Sequence, residues 1–122
     1  MSQQNQNPNQ QHIVNSSSLG GTWVDTNPYP HAGNAADPLT DADIQAEVMR
    51  AVSQNNWTPS TTHMFLVFTA RGVESCLDSS DCTPGTAHPV YCAYHGYFAA
   101  NNQSYIYANM PYDETWGTSC RS

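Results

Sequence analysis

Thiol, imidazole and phenol crowd together over Val90-Tyr91-Cys92-Ala93-Tyr94-His95-Gly96-Tyr97-Phe98, the stretch richest in groups able to do chemistry. Cys92 and His95, two residues between them, join His88, Cys76 and Cys82 as enough soft donors for a tetrahedral zinc. No Cys-x2-Cys pair accompanies them. Successive side chains of a strand alternate between faces, so Cys92 and His95 point apart if this segment is extended. The four cysteines, Cys76, Cys82, Cys92 and Cys120, are an even number in a small chain and read instead as two disulfides in an oxidising compartment. Four cysteines allow three connectivities. Joining Cys76 to Cys82 closes a short loop, and joining Cys92 to Cys120 pins the tail to a hairpin; spacing leaves the choice open. In that second pairing the longer loop is worth about 3 to 4 kcal/mol through chain entropy.

The other reactive groups fit catalysis poorly. His95 has the makings of a general base, yet no carboxylate lies nearby in sequence, and it reads as a half-buried histidine bonded to a backbone carbonyl. Asp78, Ser79, Ser80 and Asp81 offer calcium its preferred oxygens, but at no recognised spacing, and read as a solvated acidic loop. There is no Gly-x-Ser-x-Gly elbow, no glycine-rich phosphate loop and no His-Glu-x-x-His helix. The expectation is no catalytic residue, no metal and no cofactor. What remains is a binding surface of Tyr91, His95, Tyr97, Tyr105 and Trp116, whose amphipathic rings can stack on carbohydrate such as a cell-wall glycan.

The elements that hold these residues follow from pattern. Thr40 with Asp43 forms a capping box, and Leu39 with Ile44 a hydrophobic staple. Ile44, Val48, Ala51 and Val52 then make one apolar helical stripe, with Asp41 and Asp43 in the first turn where the helix dipole favours negative charge. Asn55 and Asn56 end the helix and Trp57 folds back onto it. The run His63 to Thr69, apolar without a break from Met64 to Phe68, predicts a central strand covered on both faces. Thr22 to Thr26 alternates like a short strand. Ser75 to Pro89 reads as a long irregular loop. Ala100-Asn101-Asn102-Gln103 reads as a hairpin loop joining the strand around Tyr94 to a partner from Ser104 to Met110. Pro111 ends the partner. The expected fold is α+β, with one amphipathic helix and a small, mainly antiparallel sheet stapled by disulfides.

Composition bounds the partners. The net charge is -7, with Arg50, Arg71 and Arg121 as the only cations of the lysine or arginine type. Displacing counterions from phosphates needs several cations, so nucleic acid is not expected as a partner and an anionic membrane surface is disfavoured. No apolar run approaches the roughly 20 residues that span a bilayer. The Gln- and Asn-rich start has almost nothing to bury, so residues 1–21 read as a disordered polar tail and 22–122 as a single domain. That start lacks the basic and apolar regions of a signal peptide. The reading is a leader upstream of Met1 or a truncated reading frame, against the alternative of thiols that stay reduced inside a cell.

Taken in order, Thr22-Trp23-Val24-Asp25-Thr26, the helix from Leu39 to Val48, Phe65-Leu66-Val67-Phe68-Thr69-Ala70-Arg71-Gly72-Val73, Cys92-Ala93-Tyr94-His95 and Tyr107-Ala108-Asn109-Met110-Pro111-Tyr112 resemble bacterial members of the EXORDIUM-like, or phosphate-induced-protein, family. Plant members carry a similar Cys-Gly-x-His step. The resemblance spans about Gly21 to Cys120 and implies a secreted or wall-associated protein without an established catalytic activity. In bacterial relatives a zinc-peptidase-like helix follows the position of Cys120, which this chain lacks, so the resemblance carries over no catalytic residue. Three functions follow as expectations. The first is a secreted, non-catalytic binding or assembly domain. The second is the N-terminal half of a zinc-metallopeptidase-like enzyme. The third is a self-assembling extracellular subunit, since a shortened domain leaves a sheet edge and apolar strands uncovered.

Overall fold

A computed structural model of the chain describes residues 20–112 and 120; the polar tail, apart from Gly20 and Gly21, and Trp116 lie outside the described residues. Chain order runs β1 (Leu39–Thr40), α1 (Asp41–Asn55), β2 (Met64–Phe68), β3 (Ser75–Asp78), β4 (Asp81–Cys82), β5 (Tyr94–Ala100) and β6 (Gln103–Met110). The class is α+β, as the pattern predicted. Its strands form two small mixed sheets. One has the order β1-β3-β4, and the other places β6 between β2 and β5. Within the second sheet the β5–β6 ladder is antiparallel and the β2–β6 ladder parallel.

Helix α1 begins and ends where local chemistry dictates. The Thr40 hydroxyl accepts from the Asp43 amide at 3.1 Å, and Asp43 Oδ2 accepts from the Thr40 amide at 2.9 Å, closing the capping box. At the other end Asn56 takes the left-handed conformation at φ 55°, which asparagine tolerates better than most residues. Ile44, Val48 and Val52 turn inward and meet Tyr105 and Tyr107 of β6. Phe65, Val67, Phe98 and Trp57 complete this core, with Phe98 stacked flat on Tyr105 at 4.6 Å. The β5–β6 turn is Asn101-Asn102, both at positive φ, as a two-residue hairpin that matches strand twist demands.

Three expectations change. Residues 22–26 form no strand; Asp25 holds that segment through Arg50 and the Asn27 amide instead of through a ladder. The supposed irregular loop contains the β3–β4 hairpin, whose register puts Cys76 opposite Cys82. Most consequentially, β2 is an edge strand, not a central one. Its parallel ladder to β6 joins residues about 42 positions apart, a pairing no local pattern announces.

Behind the second hairpin, Glu74 is buried and its Oε1 accepts from the Thr83 hydroxyl at 2.6 Å. A Cβ on Gly85 would fall 1.9 Å from the other carboxylate oxygen. Gly85→Ala therefore pushes the carboxylate off Thr83 and is expected to lower stability by about 1 to 3 kcal/mol, the cost of disturbing a buried charged hydrogen bond. A urea midpoint equal to that of the parent would show that Glu74 relocates freely.

Candidate functional site

The four cysteines form two disulfides, as expected, and the structure selects one of the three open connectivities. Cys76 is bonded to Cys82 and Cys92 to Cys120, 6 and 28 residues apart in sequence. All four sulfurs are thereby removed as thiolate ligands, and among the described residues no three of His, Cys, Asp or Glu cluster as a metal site.

The five expected surface residues separate. Tyr97 stands out from β5 with 79% of its surface exposed, and His95 is exposed two residues before it on the same face. Tyr105 is a core residue at 4% exposure, which corrects its place in the binding surface. The reason is period: Tyr105 shares the inner face of β6 with Tyr107, against α1. Tyr91 lies half-buried ahead of β5, edge-on to Tyr94 at 4.9 Å.

Tyr91, Tyr94 and Tyr107 belong to a polar network between the helix start and both sheets. The hydroxyls of Tyr94 and Tyr107 both donate to Asp41 Oδ1, Tyr107 at 2.7 Å, and Gln45 Nε2 donates to Asp41 Oδ2 at 2.8 Å. Gly96 stands opposite Tyr107 in the ladder, where a Cβ would lie 3.4 Å from the ring, so the absent side chain leaves that ring its room. Across the junction Ser75 Oγ sits 2.8 Å from the Tyr91 hydroxyl and accepts from Asn109 Nδ2 at 3.1 Å, tying β3 to β6. Burial pushes the Tyr91 phenol up to about 12. Burial, then the Asp41 carboxylate, pushes Tyr107 up to about 12 and Tyr94 higher still. All three phenols remain protonated at physiological pH, Tyr94 and Tyr107 donating to Asp41, and none is a base or nucleophile. The network is an anchor for α1.

A third polar group binds the segment before the helix. Arg50 Nη1 donates to Asp25 and, at 2.8 Å, to Glu47 Oε1. The Asn27 amide, and the Glu47 carboxyl after it, hold Asp25 down at about 2, while burial and then the Asp25 charge raise Glu47 to about 7. A raised carboxyl binds more protons folded than unfolded, so stability falls as pH rises from about 4.5 to about 7. Glu47→Gln is expected to flatten that part of the melting-temperature profile and to gain most above pH 7. An unchanged slope between pH 5 and 7 would assign it to other groups.

Two concavities are open. One, of about 470 Å³, lies along β3 and is lined by His31, Asp37, Thr40, Leu77, Asp78 and His88 among others. Asp78 Oδ1 accepts from the Ser80 amide at 2.8 Å, a turn contact within the acidic loop rather than a cation cage. The other, of about 310 Å³, lies between Phe68, Thr69, Met110, Pro111 and Tyr112. It sits at one end of a larger feature, the outer face of the β2-β6-β5 sheet. Here Met64, Leu66 and Phe68 are 54%, 37% and 68% exposed, beside Tyr97 of β5. Alternation puts Ile106, Ala108 and Met110 of β6 on the same face. The unbroken apolar run of β2 had announced burial on both sides; α1 covers only the side of Phe65 and Val67. An apolar face that no other described element covers is the kind of patch that marks an interaction site.

No family model, curated protein or solved structure matches this chain.

Proposed function

We propose that this chain is a secreted EXORDIUM-like domain that acts at the cell exterior by binding or assembly rather than by catalysis. The observation that carries the reading is the uncovered apolar face of the β2-β6-β5 sheet, presented by a body held with two disulfides. Disulfides form and persist in oxidising compartments. No helix among the described residues is long and apolar enough to cross a membrane. A glycan needs hydrogen-bonding groups around a stacking ring, and beside Tyr97 this face offers chiefly His95 and Ser104. Its chemistry favours a protein surface over a sugar.

Fractionation of source cells with an antiserum, followed by peptide mapping without reduction, tests the reading. The expected result is chain in the medium or wall carrying the Cys76–Cys82 and Cys92–Cys120 cross-links. Chain confined to the cytosol with four free thiols would sink it. The uncovered face also suits a layer supplied by a longer form of the chain, the zinc-metallopeptidase-like half. Stoichiometric zinc in such a longer form would favour that enzyme.

A further inference from the structure

We propose that the outer face of the β2-β6-β5 sheet is where two copies of this chain meet, in a two-fold dimer packed sheet against sheet. The proposal rests on the binding or assembly reading and names its partner. The ladders set the relief of the face. Met64, Ile106 and Tyr97 form one row across the sheet, Leu66, Ala108 and His95 the next, and Phe68 with Met110 the third. The first and third rows carry tall side chains. The middle row dips at Ala108, which its neighbours bury. Sheets packed face to face about 10 Å apart interdigitate side chains from both inner faces, and this apolar face is covered in that way by its own copy. A two-fold contact uses the same patch on both partners.

Charge selects a second copy over other occupants. The molecule carries -7, yet from Cys82 to Tyr112 there is no Asp, Glu, Lys or Arg, and β2 has none either. The described acids lie at 25–47 and 74–81, none of them on these three strands, and Asp41 meets Tyr94 and Tyr107 on the helix side. Two copies repel through most of their surfaces and least through this one. A cationic or anionic partner finds no counter-charge here.

Size sets the strength. With aromatic side chains of about 150–250 Å² each, the exposed fractions of Met64, Leu66, Phe68 and Tyr97 amount to roughly 500 Å² per copy, or roughly 1,000 Å² for the pair. That is the floor for a specific interface, so the dimer is reversible with a dissociation constant in the micromolar range, about 1 to 100 µM.

Sedimentation velocity on the oxidised 122-residue chain, from about 1 to about 300 µM, brackets that range. The parent is expected to shift from monomer to dimer with concentration. Leu66→Asp and Tyr97→Asp each put a charge on the face and are expected to weaken association at least tenfold. Far-UV circular dichroism and the disulfide map check that both fold. As a readout that needs no variant, peroxide oxidation of Met64 should slow with rising concentration while that of Met49, on the helix, does not. A parent that stays monomeric at the highest concentration would overturn the proposal. So would variants that dimerise like the parent, which would place the contact at a strand edge. A cytosolic chain that dimerises refutes the secreted reading alone, and an exterior chain that stays monomeric refutes the dimer alone.

Discussion

Replacing Cys92 and Cys120 together by serine is expected to lower stability by about 3 to 4 kcal/mol, more than any other pair of exchanges away from the core. The bridge spans 28 residues and encloses the whole β5–β6 hairpin, which supplies Tyr94, Phe98, Tyr105 and Tyr107 to the core. Without it the unfolded chain regains the entropy of that loop. Replacing both cysteines, not one, avoids a free thiol that would exchange with the Cys76–Cys82 bridge. The same exchange at Cys76 and Cys82, only 6 residues apart, is expected to lower stability by about 2 kcal/mol on the same relation. Urea unfolding of the two double variants side by side is the measurement. Equal losses would show that loop entropy is not what the longer bridge supplies.

The second large effect is at Asp41. Asp41→Ala is expected to lower stability by about 3 kcal/mol, because it removes the charged acceptor of Tyr94, Tyr107 and Gln45 at one stroke. The hydroxyls of half-buried Tyr94 and buried Tyr107 are then left to find other partners, and the first turn of α1 loses a negative charge that its dipole favours. Tyr107→Phe, which removes one donor and keeps the acceptor, should lose about 1 kcal/mol. The double variant should lose less than the sum, since the two groups share one hydrogen bond. Alkaline titration followed by tyrosine absorbance gives an independent readout. The Tyr107 phenol at about 12 should drop toward the ordinary tyrosine range in Asp41→Ala, burial alone then holding it up. A purely additive cycle and an unmoved titration together would reduce the network to a set of unrelated contacts.

These two sites and the outer face divide the molecule by role. The Asp41 network ties α1 to the hairpin, and the bridge closes the loop that contains the hairpin, so the face opposite α1 is presented on a tied support. Tyr97 and Phe68 are exposed on a support whose other side is occupied by the core. A surface that is apolar, open and tied down in this way loses little entropy on binding.

The sequence alone determined what depends on neighbours a few positions apart. The capping box at Thr40, the left-handed stop at Asn56, the inward stripe of Ile44, Val48 and Val52, and the Asn101-Asn102 turn are local backbone and side-chain chemistry, legible without tertiary contacts. The choice of disulfides over zinc was legible too, from count and alternation. Tertiary structure decided the rest. An apolar run is the same string whether one face or both are covered, so Met64, Leu66 and Phe68 became an open face only once β2 paired in parallel with distant β6 and took the edge. Tyr105 passed from surface to core by the side of β6 on which α1 settled. Asp41 met Tyr94 and Tyr107 across 53 and 66 residues, a separation at which packing, not periodicity, chooses partners.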